Sequence, residues 1–240
     1  MSLPTTPRKP DGVQPGGGWC MRLEVAWGRL RRMLLRRFYP GYVHRMREKR
    51  QGSCPRHDAD VIDSRDLKYL RNICDLAFRP EDDHFQWRSR LGLARYGLAE
   101  VVIFTLAFLL LGGLFSSLAV LIHWLFWAPI VPLFLVWLEI IYFFRDPERV
   151  IPLDADALVS AADGTVTNVE EVEEPDFPGG RALRISIFLS IFNVHVNRLP
   201  RTGRIVELRY FPGAFLDARN PASAVRNEQL WIDMVEENGR

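Results

Sequence analysis

The chain has 240 residues and a mass of 27.7 kDa, with 48% hydrophobic and 25% charged residues; these values exclude wholesale disorder and collagen-like repetition. Cys20, Cys54 and Cys74 are too few and too widely spaced for a disulfide framework, and no CxxC or HExxH spacing offers a zinc site. The formal charge of +2 hides an asymmetry: residues 1–95 carry 20 Lys+Arg against 11 Asp+Glu, and residues 96–240 carry 11 against 18. A basic first part is therefore joined to an acidic remainder.

In chain order, residues 1–21 are Pro- and Gly-rich and read as a disordered tail. Residues 22–95 read as a basic, helical, membrane-proximal region. Its first helix covers 22–38, where Leu23, Trp27, Leu30, Leu34 and Phe38 share one face and Arg22, Arg29, Arg31, Arg32, Arg36 and Arg37 populate much of the rest. Such a helix suits the surface of an anionic membrane, or a solvated basic face packed on the rest of the protein; both readings stay open. Nucleic acid is not expected as a partner. A second helical stretch is expected near 63–78. The cluster Glu81-Asp82-Asp83-His84 has metal-ligating side chains but reads as a turn or helix start, and no metal site is assigned.

From Val101 to Leu138 no Asp, Glu, Lys or Arg occurs, a run of 38 residues bracketed by Glu100 and Glu139. One span needs about 20 residues, so the run predicts a transmembrane helical hairpin within 96–144, with helices near 98–118 and 124–144. Trp124, Trp127, Trp137 and Tyr142 suit interfacial belts. Arg88, Arg90 and Arg95 before the first span, and Arg145 and Arg149 after the second, place both flanks on the cytoplasmic side of the cell (inner) membrane.

After Pro147 the period changes. Strands are expected at 158–159, 165–167, 182–189, 194–196, 204–210 and 229–234, punctuated by Gly164, Gly179-Gly180, Pro200, Gly203 and Pro212-Gly213. The fold class is thus α+β: a helical N-terminal region, a two-helix hairpin, and a β-rich domain over 145–240 of barrel or sandwich type that looks incomplete. Its last strand runs almost into Arg240 and leaves an edge that invites pairing.

Two places carry candidate chemistry. Ser160-Ala161-Ala162-Asp163-Gly164 is a small-residue turn with one acid, which equally suits an aspartate capping its own backbone. In Asn193-Val194-His195-Val196-Asn197-Arg198, strand alternation would set Asn193, His195 and Asn197 on one face, with Arg198 next along. A structural histidine is the plain alternative; an acid–base pair of Asp163 with His195 is the functional one.

These residues carry a family resemblance. Phe143-Phe144-Arg145-Asp146-Pro147-Glu148-Arg149, Ser160-Ala161-Ala162-Asp163-Gly164, the stretch Phe188–Arg198, Tyr210–Phe215 and Asn227-Glu228 together resemble phosphatidylserine decarboxylase proenzymes of the short, membrane-anchored branch. The resemblance implies a chain that cleaves itself at a Gly-Ser motif. The serine becomes a pyruvoyl group on a C-terminal small subunit, and its carbonyl forms a Schiff base with phosphatidylserine and accepts the electrons released with CO2. By the same resemblance, Asp163 serves self-cleavage and His195 serves proton transfer near the headgroup. Arg198 replaces a second family histidine and suits the lipid phosphate or carboxylate. Asn193 and Asn197 complete the substrate pocket. Ala161 stands where the family usually has proline, and Pro221 where lysine is common.

The large departure concerns the serine. The only Gly-Ser pair is Gly52-Ser53, so a pyruvoyl-forming serine is expected on a further segment. The reading favours a chain truncated before that motif, with the large subunit of a split enzyme or a protein without the chemistry as alternatives. The 240 residues alone are expected to be inactive. Phosphatidylserine, membrane lipid and the chain's own small subunit are the expected partners. A non-catalytic, decarboxylase-like membrane lipid-binding protein is the alternative function.

Overall fold

The structure is a computed structural model that describes residues 19–236 apart from 55, 71–74, 155, 156, 176 and 178. Two compact units emerge, one of residues 1–88 with 202–240 and the other of residues 89–201.

In the first unit, α1 (Trp19–Phe38) begins inside the expected tail, so Trp19–Met21 are helical and the rest of 1–21 lies outside the described residues. It ends at Tyr39, and Pro40 opens α2 (Pro40–Glu48), since proline's fixed φ and missing N–H suit a first helical turn. β1 (Arg50–Gln51) and β2 (Ala77–Phe78) form a short antiparallel pair. Between them the long helix expected near 63–78 is absent among the described residues, and two 3₁₀ turns stand at Asp58–Asp60 and Asp66–Tyr69. The reason is local competition. The Asp66 carboxylate accepts the Ile62 and Asp63 amides at 2.9 and 3.3 Å, and Asp63 accepts the Arg65 amide at 3.1 Å. Such bonds offer the backbone a non-helical solution.

A small core of Cys54, Val61, Leu67, Leu70 and Leu76, with Phe78 against it, lies under these turns; Cys54 is disulfide-bonded. Ion pairs fasten α1 to it. Arg31 and Arg32 both donate to Asp66, and Lys68 meets Glu24 at 2.6 Å. Beneath them Asp63 is fully buried. It accepts from Arg65 at 2.6 Å and from the Tyr42 hydroxyl at 3.2 Å.

The second unit opens with the apolar hairpin. α3 (Leu98–Leu121) and α4 (Ile130–Phe143) are joined through a 3₁₀ turn, Trp124–Trp127. The His123 ring nitrogen caps that turn by accepting the Leu125 amide at 3.2 Å. Segments Arg95–Leu121 and Trp124–Phe143 are long and apolar enough to cross a membrane, and Gly97 and Ala119 are their only buried residues. Across the hairpin, Phe108 stacks on Trp137 at 5.2 Å, and the Trp137 indole donates to the Thr105 hydroxyl at 2.9 Å. The two feet are tied as well: the Ala94 amide donates to Phe144 O at 2.7 Å, and Leu93 bridges Arg145.

β3 (Thr165–Glu173) and β4 (Arg181–Phe188) follow as an antiparallel hairpin whose ladder runs from Thr165–Phe188 to Glu173–Arg181. Arg184 pairs with Glu170, and Arg181 with Glu171, across the strands.

The chain then returns to the first unit with β5 (Arg204–Phe211), a short α5 (Ser223–Arg226) and β6 (Gln229–Val235), β5 and β6 pairing antiparallel. The class is α+β. Among the described residues the strands make three two-stranded sheets, and no closed barrel or sandwich is formed. The strands expected at 158–159 and 194–196 are loops. They bond each other at two points, Val159 N to Pro200 O at 3.0 Å and Arg198 N to Ala161 O at 2.9 Å, without joining a ladder.

Candidate functional site

The site residues all lie in the second unit, where the chain leaves α4. Asp163 and Gly164 turn the chain into β3. Gly164 has φ +148°, and a Cβ there would run into the carbonyl of Phe188 at the far end of β4. Only glycine fits that crossing, so the backbone fixes where Asp163 stands.

The other loop leaves β4 and is clamped by Asn193. Its side-chain oxygen accepts the Ser190 amide at 2.8 Å and the Ser190 hydroxyl at 2.7 Å, and its amide donates to Ser190 O at 2.9 Å. Val194 is almost wholly buried and anchors the loop, while His195 is exposed. The His195 Nδ1 lies 3.0 Å from Asn193 O. A carbonyl can only accept, so Nδ1 donates, and in the neutral ring Nε2 keeps its lone pair. The imidazole lies against Phe143, the last residue of α4, with ring centroids 4.2 Å apart.

The two loops run antiparallel, and their paired residues, 159 with 200 and 161 with 198, define a register. These two bonds tie the segment that carries the Asp163 turn to the segment that follows His195. Arg198 is joined to both: its amide holds the Asp163 turn, and its guanidinium pairs with the Asp146 carboxylate. Asn197 is exposed. Asn193 serves its own turn with its side-chain oxygen, rather than sharing one strand face with His195 and Asn197.

Three charged residues just past α4 received no role in the site from the sequence. Arg145 donates to Phe192 O at 2.8 Å, Asp146 accepts from Arg198, and Arg149 donates to Asp163 at 2.5 Å. One five-residue segment therefore grips both loops. Its signal in the sequence is the abrupt return of charge after an apolar run, which reads first as a topology marker and hides the structural use. Elsewhere, Asp82 of the acidic cluster meets Lys49 at 2.6 Å, and Asp83 accepts from the Ser64 hydroxyl and the Phe85 amide. Among the described residues no group of His, Cys, Asp or Glu is placed to hold a metal ion.

A sequence model of the phosphatidylserine decarboxylase family matches residues 138–240. The phosphatidylserine decarboxylase proenzyme of Rhodopirellula baltica is 40% identical over 168 residues, 70% of this chain and 66% of that protein. The proenzyme of Symbiobacterium thermophilum is 46% identical over 126 residues, 52% of this chain and 56% of its own. That of Pelobacter propionicus is 53% identical over 93 residues, 38% and 41% respectively. The chain spans from about two fifths to just under two thirds of the length of these relatives. No solved structure matches it.

Proposed function

We propose that this chain, which belongs to the phosphatidylserine decarboxylase family over residues 138–240, forms the membrane-anchored large part of an enzyme that converts phosphatidylserine to phosphatidylethanolamine and CO2. The observation that carries the reading is the clamp of Arg145, Asp146 and Arg149 on the Asp163 and His195 loops. It sets an exposed imidazole and a carboxylate at the foot of an apolar helix, where a lipid headgroup would meet them.

A self-derived pyruvoyl group on the small-subunit segment would supply the electron sink for decarboxylation. The chain's residues fit such a group. His195 is exposed and has an open Nε2, its tautomer set by Asn193 O, so it can carry a proton to or from a carbon that has lost CO2. Asp163 is half-buried and paired with Arg149, which orients its carboxylate to accept the proton of an attacking hydroxyl during self-cleavage. Arg198 retains exposed surface beyond its pair with Asp146 and can turn a donor toward a phosphate or carboxylate. Asn197, beside it, adds an exposed amide to the headgroup side. Asn193 acts through His195, as a positioning residue.

The two spans would cross the cell membrane and return, leaving the site on the cytoplasmic face, as the flanking arginines favour. We read β3 to β6 as parts of one β-rich, barrel-like domain shared with the small subunit.

The test is to express the chain with a family C-terminal segment bearing the Gly-Ser pair and to follow chain splitting and CO2 release from phosphatidylserine. Splitting with hydroxylamine-sensitive release is expected. His195→Gln should still split but release CO2 at least about a hundredfold more slowly, and Asp163→Asn should not split. Headgroup-selective lipid binding without splitting or CO2 release would overturn the reading in favour of a non-catalytic lipid binder.

A further inference from the structure

We infer that α1 is an interfacial helix that lies in the headgroup layer of an anionic bilayer; the inference is independent of the decarboxylase reading. A surface helix ordinarily turns its apolar stripe to the core and its charges to water. α1 does the reverse. Trp19, Leu23, Trp27, Leu30, Leu34 and Phe38 fall within one sector of the helix, and all are exposed, Trp27 at 60% and Phe38 at 66%. The flank turned to the protein carries Glu24, Arg31 and Arg32, held by Lys68 and Asp66.

Those ion pairs fix the helix against rolling. Turning the apolar sector inward would break the pairs of Arg31 and Arg32, whose side chains are only 13% and 17% exposed, and strand charges away from water. The sector therefore faces outward by construction.

Charge selects the occupant. Arg22 and Arg29 are exposed along one border of the sector, and Arg37 lies within it beside Phe38. The helix's single acid, Glu24, faces Lys68. Tryptophan and phenylalanine bordered by arginines match the layer where acyl chains meet anionic headgroups, because the arginine stems can lie along apolar surface while their heads reach phosphate. The chain also carries its own two candidate spans from residue 95 onward, so the helix is tethered near lipid.

The experiment uses the full chain reconstituted in phosphatidylcholine vesicles with or without phosphatidylglycerol, containing lipids brominated near the headgroup end of the acyl chain. Subtracting the signal of a Trp19→Phe/Trp27→Phe chain isolates the two helix indoles from Trp87, Trp124, Trp127, Trp137 and Trp231. The isolated signal should be quenched in the anionic vesicles, less so in phosphatidylcholine alone, and less so at high salt. Arg22→Gln and Arg29→Gln should each weaken the anionic preference by about fivefold. Leu23→Glu/Leu30→Glu, at exposed positions that leave the fold intact by circular dichroism, should abolish the quenching. Unquenched indoles in both vesicles would overturn the proposal, as would a Leu30→Cys chain that cross-links to a second copy. Equal quenching in both lipids would overturn its anionic selectivity.

Discussion

Arg149 donates to Asp163 at 2.5 Å across fourteen residues of chain, so the acid of the candidate site is held by a cation from the segment that leaves α4. Arg145 and Asp146 of the same segment hold the His195 loop through Phe192 O and Arg198. The helix foot and the two loops form one hydrogen-bonded assembly, and displacing any member should be felt at the others.

Arg149→Ala should therefore impair function more than stability. The Arg149 and Asp163 side chains are 43% and 37% exposed, and exposed pairs contribute about 0–1 kcal/mol. In the complete enzyme the variant should melt within about 3 °C of the parent, since an exposed pair contributes so little. Chain splitting should slow by about tenfold or more, because Asp163 loses its orientation. Arg149→Lys, which keeps the charge but not the fork, should recover part of the rate. Gel analysis of splitting over time, paired with a thermal melt, separates the two effects. Unchanged splitting in Arg149→Ala would show that Asp163 needs no positioning.

Gly164→Ala tests the turn itself. A Cβ there would meet the Phe188 carbonyl, and the φ of +148° is unfavourable for any side chain. The variant should lose about 1–3 kcal/mol. It should also shift the end of the β3–β4 ladder, seen as faster amide exchange at Thr165 and Phe188. Exchange at Glu173 and Arg181, at the other end, should stay as in the parent.

The helices and strands were legible wherever periodicity ran long. The 38-residue uncharged run located the hairpin, and Leu23, Trp27, Leu30, Leu34 and Phe38 located α1, because repeated burial or exposure of one face leaves a period in the chain. The strands at 182–189, 204–210 and 229–234 were readable for the same reason. The stretch near 63–78 was misread as one continuous helix because the local bonds of Asp63 and Asp66, which among the described residues leave only a 3₁₀ turn at Asp66–Tyr69, carry no period. Val194-His195-Val196 was misread as a strand, since alternation over three residues cannot tell a ladder from an extended loop. Asp163 and His195 stood out by their local patterns, a small-residue turn with one acid and a histidine between amides, and the motif resemblance supplied their expected roles. The joining of their two segments rests on Arg198 N to Ala161 O and Val159 N to Pro200 O, bonds between backbones that no side-chain pattern announces.

At the feet of the hairpin, Gly97 packs against the Phe144 ring, leaving no room for a Cβ. Its φ of −93° is ordinary, so the constraint is steric and not conformational. Gly97→Ala should destabilise the chain in detergent by about 1–3 kcal/mol. Phe144→Leu should cost less by itself and should suppress most of the Gly97→Ala penalty. A double-mutant cycle on thermal midpoints reads the coupling; strictly additive effects would mean that the two residues do not touch.

The first unit should lose stability at both pH extremes through one buried cluster. Burial alone would raise the Asp63 carboxyl, but the Arg65 hydrogen bonds and the charges of Arg31 and Arg65 outweigh it and hold the group below the usual carboxylate range. A depressed folded value contributes stability that is present above the unfolded carboxylate value of about 3.9 and disappears as pH falls through the lower folded value. Tyr42 is the opposite case: burial first, then the Asp63 charge, pushes its hydroxyl from 10.0 to about 12. Its contribution is complete below pH 10 and is lost as pH rises to about 12. Tyr42→Phe should flatten the alkaline arm of the stability profile and leave the acid arm in place. Asp63→Asn should flatten the acid arm and lower stability at neutral pH by about 3 kcal/mol, since Arg65 and Arg31 lose a buried counter-charge. Thermal midpoints of the full chain across pH 2–12 read both arms. An alkaline arm equally steep with and without the Tyr42 hydroxyl would sever that residue from the cluster.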